Sequence, residues 1–178
     1  MMDAIQELKT RAEILHKRIA ARDGRALARL RALPELRRAS DESLTGLAAT
    51  IRRQDCLTVI AAELGFSNWP QAKAAITGEG DVTEFGTLLY RGGGHLNQWF
   101  ARYEEAAPAR VASNGYLLAY KRQYLVVDRY FIESLGLDPD DPDWIELDYD
   151  WVRPASMSAR TRLYGKLIAG LPREAVLQ

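Results

Sequence analysis

Two stretches carry residue types and spacings suited to chemistry. The first is "LYRGGGHLNQWF", residues 89–100, where three glycines precede one of only two histidines in the chain. A strand, a glycine turn and a helix start would form an anion site, because a helix leaves its first N–H groups unpaired. Gly92, Gly93 and Gly94 would let a backbone approach closely, with His95 as general base or phosphate donor and Asn97 as a further ligand contact. The triple glycine matches neither G-x-G-x-x-G nor the P-loop, and no Lys or Ser/Thr follows to meet a phosphate or magnesium. The bland alternative is a plain connection. The second stretch is acidic: Asp138, Asp140, Asp141 and Asp143, then Glu146, Asp148 and Asp150. On a strand, alternate carboxylates stand roughly 6–7 Å apart, and two of them meeting on magnesium would suit phosphodiester chemistry. Asp148 and Asp150 are therefore the carboxylates to pair with His95. Here the bland alternative is a solvated face with Asp-Pro turns.

These groups need elements to position them. Ile5, Leu8, Ala12, Leu15 and Ile19 make an apolar seam along a first helix, with Gly24 at its C′ position and Asp23 ready to cap the next helix. Leu27, Leu30 and Leu33 continue a helical pattern until Pro34. Ser40 caps a third helix reaching about Ile51. A fourth helix turns Leu57, Ile60, Ala61 and Leu64 inward and stops at Gly65. Ser67 caps a fifth, which ends at Gly78. After "GEGD", residues 78–81, the texture changes. "FGTLLY" reads as a strand, "LNQWFARYEEA" as a helix, and "YLLAY" with "YLVV" as a hairpin around Lys121–Gln123. Asp128 caps a short helix ended by Gly136. "WIELDYDWV" alternates like a half-buried strand, although so short a run leaves a helix open. "SARTRLYGKLIAGL" closes the chain as a helix. The expected fold is α+β: a helical domain over 1–79, then an α+β domain over 82–178 with a small antiparallel sheet and flanking helices.

Hydrophobic residues make up 47% of the 178, too many for a disordered chain. Net charge is zero, but residues 1–80 carry 13 basic against 10 acidic side chains, and 81–178 carry 11 against 14. Neither half has the basic excess of a dedicated nucleic-acid binder. A single cysteine, Cys56, excludes a disulfide framework within one chain and a Cys-rich zinc site. Cys56 stands at an apparent helix start, where a thiol pKa can fall, but reads more simply as a buried small residue. His16 flanks the first seam and reads as a surface residue. The first residues lack the apolar core of a signal peptide, and no window approaches a membrane span, so a cytoplasmic location is expected.

"CLTVIAAELGFSNWPQAKAAI", residues 56–76, has the outline of a helix-turn-helix. "IAAELGFS" resembles the first helix and turn of AraC-type transcription factors. The pattern departs at Trp69, Pro70 and Gln71, where a reading helix needs polar residues outward and an apolar anchor inward. Residues 50–76 more closely resemble a short helical segment found before ankyrin repeats in bacterial proteins. A similar GF-x-x-W segment accompanies some glyoxalase-like proteins. Neither an ankyrin T-P-L-H signature nor a glyoxalase-like metal set is present. The segment's role in those families is not carried over; the stretch itself reads as a packing or partner-docking helical hairpin. Phe66, Trp69, Arg52 and Arg53 are its contact candidates.

The resulting expectation is a non-enzymatic interaction or regulatory protein of a bacterial-type cytoplasm, binding a protein partner or itself, with no metal and no cofactor. Aromatic residues crowd the C-terminal half, and any left at the surface would mark an interface. The alternative is a small enzyme or ligand-binding protein whose site joins the Gly92–His95 loop to the acidic run 146–150. A third reading is a DNA-binding regulator using a basic stripe of Arg52, Arg53 and Lys73.

Overall fold

The computed structural model describes residues 3–80, 82–90 and 97–172. The chain is α+β. Helices α1 (Ala4–Ala20), α2 (Gly24–Arg29), α3 (Asp41–Leu47), α4 (Arg53–Glu63) and α5 (Trp69–Thr77) come first. Strand β1 (Gln98–Phe100), helix α6 (Tyr103–Ser113) and strands β2 (Tyr116–Tyr120) and β3 (Gln123–Val127) come next. Helices α7 (Arg129–Ser134), α8 (Pro142–Glu146) and α9 (Met157–Ala169) complete it.

The α1 seam is buried at all five expected positions. Asp23 caps α2 through its carboxylate, and Ser40 caps α3. Gly24 is not the C′ residue of α1; it opens α2. Arg22 takes the left-handed turn instead, at φ 58°, while its N–H and that of Asp23 reach back to Ile19 O and Arg18 O. Helix α3 stops at Leu47, short of Ile51. Leu57 is only partly buried. Asn68, one residue beyond Ser67, caps α5.

The sheet has the order β1-β3-β2, antiparallel throughout, with Trp99 opposite Leu125 and Leu118 opposite Leu125 on the other side. Both faces are covered. Leu117 and Val126 meet Ala106 of α6, while Leu118, Leu125 and Val127 enter the main core. Full cover explains why "YLLAY" and "YLVV" read as continuous apolar runs. The hairpin expected there is present. The helix expected over "LNQWFARYEEA" begins only at Tyr103, because Gln98–Phe100 pairs with the otherwise open edge of β3. "WIELDYDWV" is not a strand. Asp141 and Pro142 start α8, and Asp148 and Tyr149 then both take positive φ. Ile145 is left exposed and Asp150 buried, the reverse of the alternation, and only Asp150 bridges to β2, at Leu117.

The main apolar cluster draws on residues of both segments, before 78 and after 81, from Ala4 to Leu171. Helix α9 lies against α1 and α5. Two buried arginines make the joint. Arg160 Nη1 donates to Trp151 O at 3.0 Å and Nη2 to Ala75 O at 3.1 Å. Thr161 Oγ1 donates to Ile76 O at 3.3 Å. Ala75 and Ile76 lie in the last turn of α5, where carbonyls lack helical partners. In return, Arg11 of α1 donates to Ile168 O and Leu171 O at the end of α9, and its Nε pairs with Glu7 at 2.9 Å. Guanidinium groups thus meet the negative ends of two helices. Among the described residues, no helix is long and apolar enough to cross a membrane.

Removing the Arg160 head group leaves two buried carbonyls unanswered. Arg160→Ala should lower unfolding stability by about 3 kcal/mol, with Arg160→Lys intermediate. Urea unfolding of the three proteins checks the order.

Candidate functional site

The first expected site lies mostly outside the described residues: Gly92, Gly93, Gly94 and His95 are among the undescribed positions. Asn97, at the start of β1, is half-buried, and its Oδ1 has no hydrogen-bond partner among the described residues.

The carboxylates expected to act with His95 are engaged elsewhere. Asp150 is buried; it accepts Tyr103 Oη–H at 2.5 Å and the N–H groups of Val152 and Arg153, each at 2.9 Å. Burial, then this hydrogen bond, pushes the Tyr103 phenol up to about 12. Arg153 lies 3.8 Å over the Tyr103 ring. Asp150 therefore pins α6 to the chain after α8. Asp148 is exposed and pairs with Arg110 of α6 at 2.9 Å.

The rest of the acidic run faces the cations of α9. Arg162 donates to Asp143 at 2.7 Å and to Glu146 at 2.5 Å, and Lys166 to Asp141 at 2.5 Å and Asp143 at 2.7 Å. Arg129 takes Asp140 at 2.7 Å. Burial works to raise the Asp143 pKa, but the hydrogen bonds from Arg162 and Lys166 win and hold it below the ordinary range. Among the described residues, no three His, Cys, Asp or Glu side chains gather in a way that could hold a metal ion. Cys56 is fully buried, and burial followed by the Asp55 charge pushes its thiol up to about 11, away from the reactive range. His16 is half-buried, with Nε2 at 3.0 Å from Ile51 O.

The residues expected to dock a partner are split. Arg52 and Arg53 are exposed at the start of α4, and Trp69 packs partly against the core. Phe66 is 3% exposed, so it presents little more than a ring edge. That edge lines a cleft of about 720 Å³.

The cleft forms where three segments meet. The α4–α5 turn supplies Phe66 and Ser67. The 3-10 turn Pro34–Leu36 and the residue after it supply Pro34 and Arg37. The β2–β3 turn supplies Tyr120 and Lys121. A strip, Phe85–Thr87, is clamped between the two turns. Thr87 N–H donates to Leu64 O at 2.9 Å, and Phe85 N–H and Gly86 O exchange bonds with Lys121 at 2.9 and 2.7 Å. These bonds replace the strand expected over "FGTLLY". The approach is close enough to require glycine on both sides. A Cβ on Gly65 would meet Thr87 at 2.4 Å, and one on Gly86 would meet Leu64 O at 2.5 Å, both at positive φ.

Tyr90 and Tyr120 form the aromatic wall, 5.4 Å apart at 73°. Tyr90 is further held by Trp99, edge-on at 5.1 Å, and by Phe131, stacked at 6.0 Å. Trp99 itself is 41% exposed. The Lys121 ammonium stands 5.4 Å over the Tyr120 ring. Glu63, the carboxylate among the described lining residues, is closed by Arg29 through two 2.7 Å bonds. Arg37 is exposed and has no ion pair among the described residues. Lys121 also has no carboxylate partner there. Sequence reasoning missed Arg37 and Lys121. The available signals were an Arg-rich "LRRAS" beyond Pro34 and a lysine at a hairpin tip between tyrosines.

No protein-family model, curated protein or solved structure matches the chain.

Gly86→Ala should cost about 3 kcal/mol, from the positive φ and the backbone clash, and deform the cleft; thermal unfolding checks it. For Asp143 the folded pKa is depressed, so its stabilisation is complete above the ordinary value of 3.8 and is lost as pH falls through the lower folded value. Asp143→Asn should therefore be less stable than the parent at neutral pH, with the gap closing in acid. Equal gaps at both pH values in urea titrations would refute this.

Proposed function

We propose that the protein is a non-enzymatic interaction protein that receives a segment of another chain in the cleft between the α4–α5 and β2–β3 turns. The observation that carries this is the contrast between the cleft and the acidic run. The groups best suited to chemistry, Asp143, Asp148 and Asp150, are tied into hydrogen bonds and ion pairs that hold helices together. The cleft instead keeps two cations without carboxylates beside ordered aromatic rings, among the described residues. Ordered aromatic side chains next to arginine are the usual composition of interface hot spots. The partner is a different protein or a second copy. The buried single cysteine suits the reducing cytoplasm expected from the composition.

DNA reading by α4 and α5 has less support. The N-terminal end of α5, which would enter the groove, is bonded to the segment after Gly80. Glu84 accepts from Ser67 N–H and Oγ–H at 2.7 and 2.9 Å, and Thr83 bonds Gln71. A carboxylate there would repel phosphate. Lys73, part of the expected basic stripe, pairs with Glu79 at 3.3 Å.

Site-specific photo-crosslinking in the native host tests the reading. A benzophenone side chain at Thr58, inside the cleft, should give one discrete crosslinked species. The same group at Val111, on the outer face of α6, should give none. Ala62→Trp, which fills the cleft, should abolish the Thr58 product while leaving the thermal midpoint near that of the parent. Failure to crosslink from Thr58, or a product indifferent to Ala62→Trp, overturns the proposal.

A further inference from the structure

We propose that the segment the cleft receives is acidic and carries an aromatic or aliphatic anchor side chain; this rests on the cleft being the docking site. Charge decides the first part. Arg37 and Lys121 are the charged groups of the cleft left without carboxylates among the described residues. Glu63 contributes no free negative charge, since its side chain is 6% exposed and both oxygens face Arg29. Glu84 accepts from Ser67 N–H and Oγ–H and is not among the residues that line the cleft. Among the described lining residues the unbalanced charge is therefore positive. Arg29, Arg110, Arg129, Arg162 and Lys166 have partners, whereas Arg37 and Lys121 are the unpaired cations that line this cleft among the described residues. A basic or neutral occupant would leave Arg37 and Lys121 partly desolvated and unpaired, which disfavours it.

The placement of Lys121 sharpens this. Its backbone is fixed by the two bonds to Phe85 and Gly86, and its ammonium lies over the Tyr120 ring. The cation is exposed beside the aromatic wall, so a carboxylate reaching it brings the neighbouring residue against Tyr120 and Tyr90. That wall, with Pro34 and the Phe66 edge, is apolar and rigid. It rewards an inserted apolar side chain at low entropic cost. Lysine and arginine around accessible aromatic ring edges also describe a single-stranded nucleic-acid groove. Arg37 and Lys121 are too few to track a phosphate backbone, so the peptide is favoured and nucleic acid becomes an outcome of the test.

Fluorescence anisotropy with labelled random copolymers tests the proposal on the whole protein. The probes are poly(Glu,Tyr), poly(Glu), poly(Lys,Tyr) and oligo(dT). Poly(Glu,Tyr) should bind best, poly(Glu) more weakly, and binding should fall as salt rises. The charge reversal Arg37→Glu with Lys121→Glu should weaken poly(Glu,Tyr) binding about tenfold, and Arg37→Lys with Lys121→Arg should retain it. Both positions are exposed, and matching thermal midpoints confirm that the fold survives. Preference for poly(Lys,Tyr) or oligo(dT), or poly(Glu,Tyr) binding unchanged by the reversal, overturns the acidic assignment. If Thr58 crosslinks a partner while poly(Glu,Tyr) fails to bind, the docking site stands and the acidic occupant falls. If Ala62→Trp leaves both crosslink and copolymer binding intact, the docking site itself falls.

Discussion

The structure depends on buried arginines that answer the carbonyls of helix ends. Arg160 is 2% exposed, and its hydrogen bonds go to the carbonyls of Trp151 and Ala75. Burial weighs against its charge, while Asp150 nearby favours it. What makes the position tenable is the end of α5, where unpaired carbonyls concentrate partial negative charge. Arg11 performs the same service for the end of α9. Each half of the chain thus supplies the cation that the other half's helix end needs. Apolar packing alone would let α9 slide along α1 and α5. Directional bonds to particular carbonyls fix its register and its depth.

With α9 fixed, the acidic run has its positions set. Arg162 and Lys166 collect Asp141, Asp143 and Glu146. This holds α8 down and aims the turn after it so that Asp150 meets Tyr103 and Asp148 meets Arg110. The carboxylates that look most like catalysts are the rivets of the C-terminal half. Their number reflects how many short elements must be tied to α6, α7 and α9.

The cleft is a by-product of the same arrangement. The α4–α5 turn and the β2–β3 turn approach each other across the Phe85–Thr87 strip, at contacts that tolerate no side chain on Gly65 or Gly86. Aromatic rings brace one wall from behind, through Trp99 and Phe131. Among the described residues lining this mouth, Glu63 is taken by Arg29, while Arg37 and Lys121 meet no carboxylate.

Features that a few neighbouring residues can settle are legible in the sequence. The Ile5–Ile19 seam, the caps at Asp23, Ser40 and Asp128, the stops at Gly65, Gly78 and Gly136, and the hairpin at Lys121 all show as patterns within a short stretch of chain. A competing local signal is legible too: Asp141-Pro142 begins a helix that runs into a stretch alternating like a strand. Other outcomes were decided only by partners far away in the chain. Gln98–Phe100 is a strand because β3 had an open edge, and Phe85–Tyr90 is not one because Lys121 and Leu64 claim its backbone. The charge state of the surface belongs to the same class. An acid and a base cancel only when the fold brings them together. Asp143 and Arg37 are alike in the sequence as charged residues, and folding leaves one buried in ion pairs and the other exposed at a cleft.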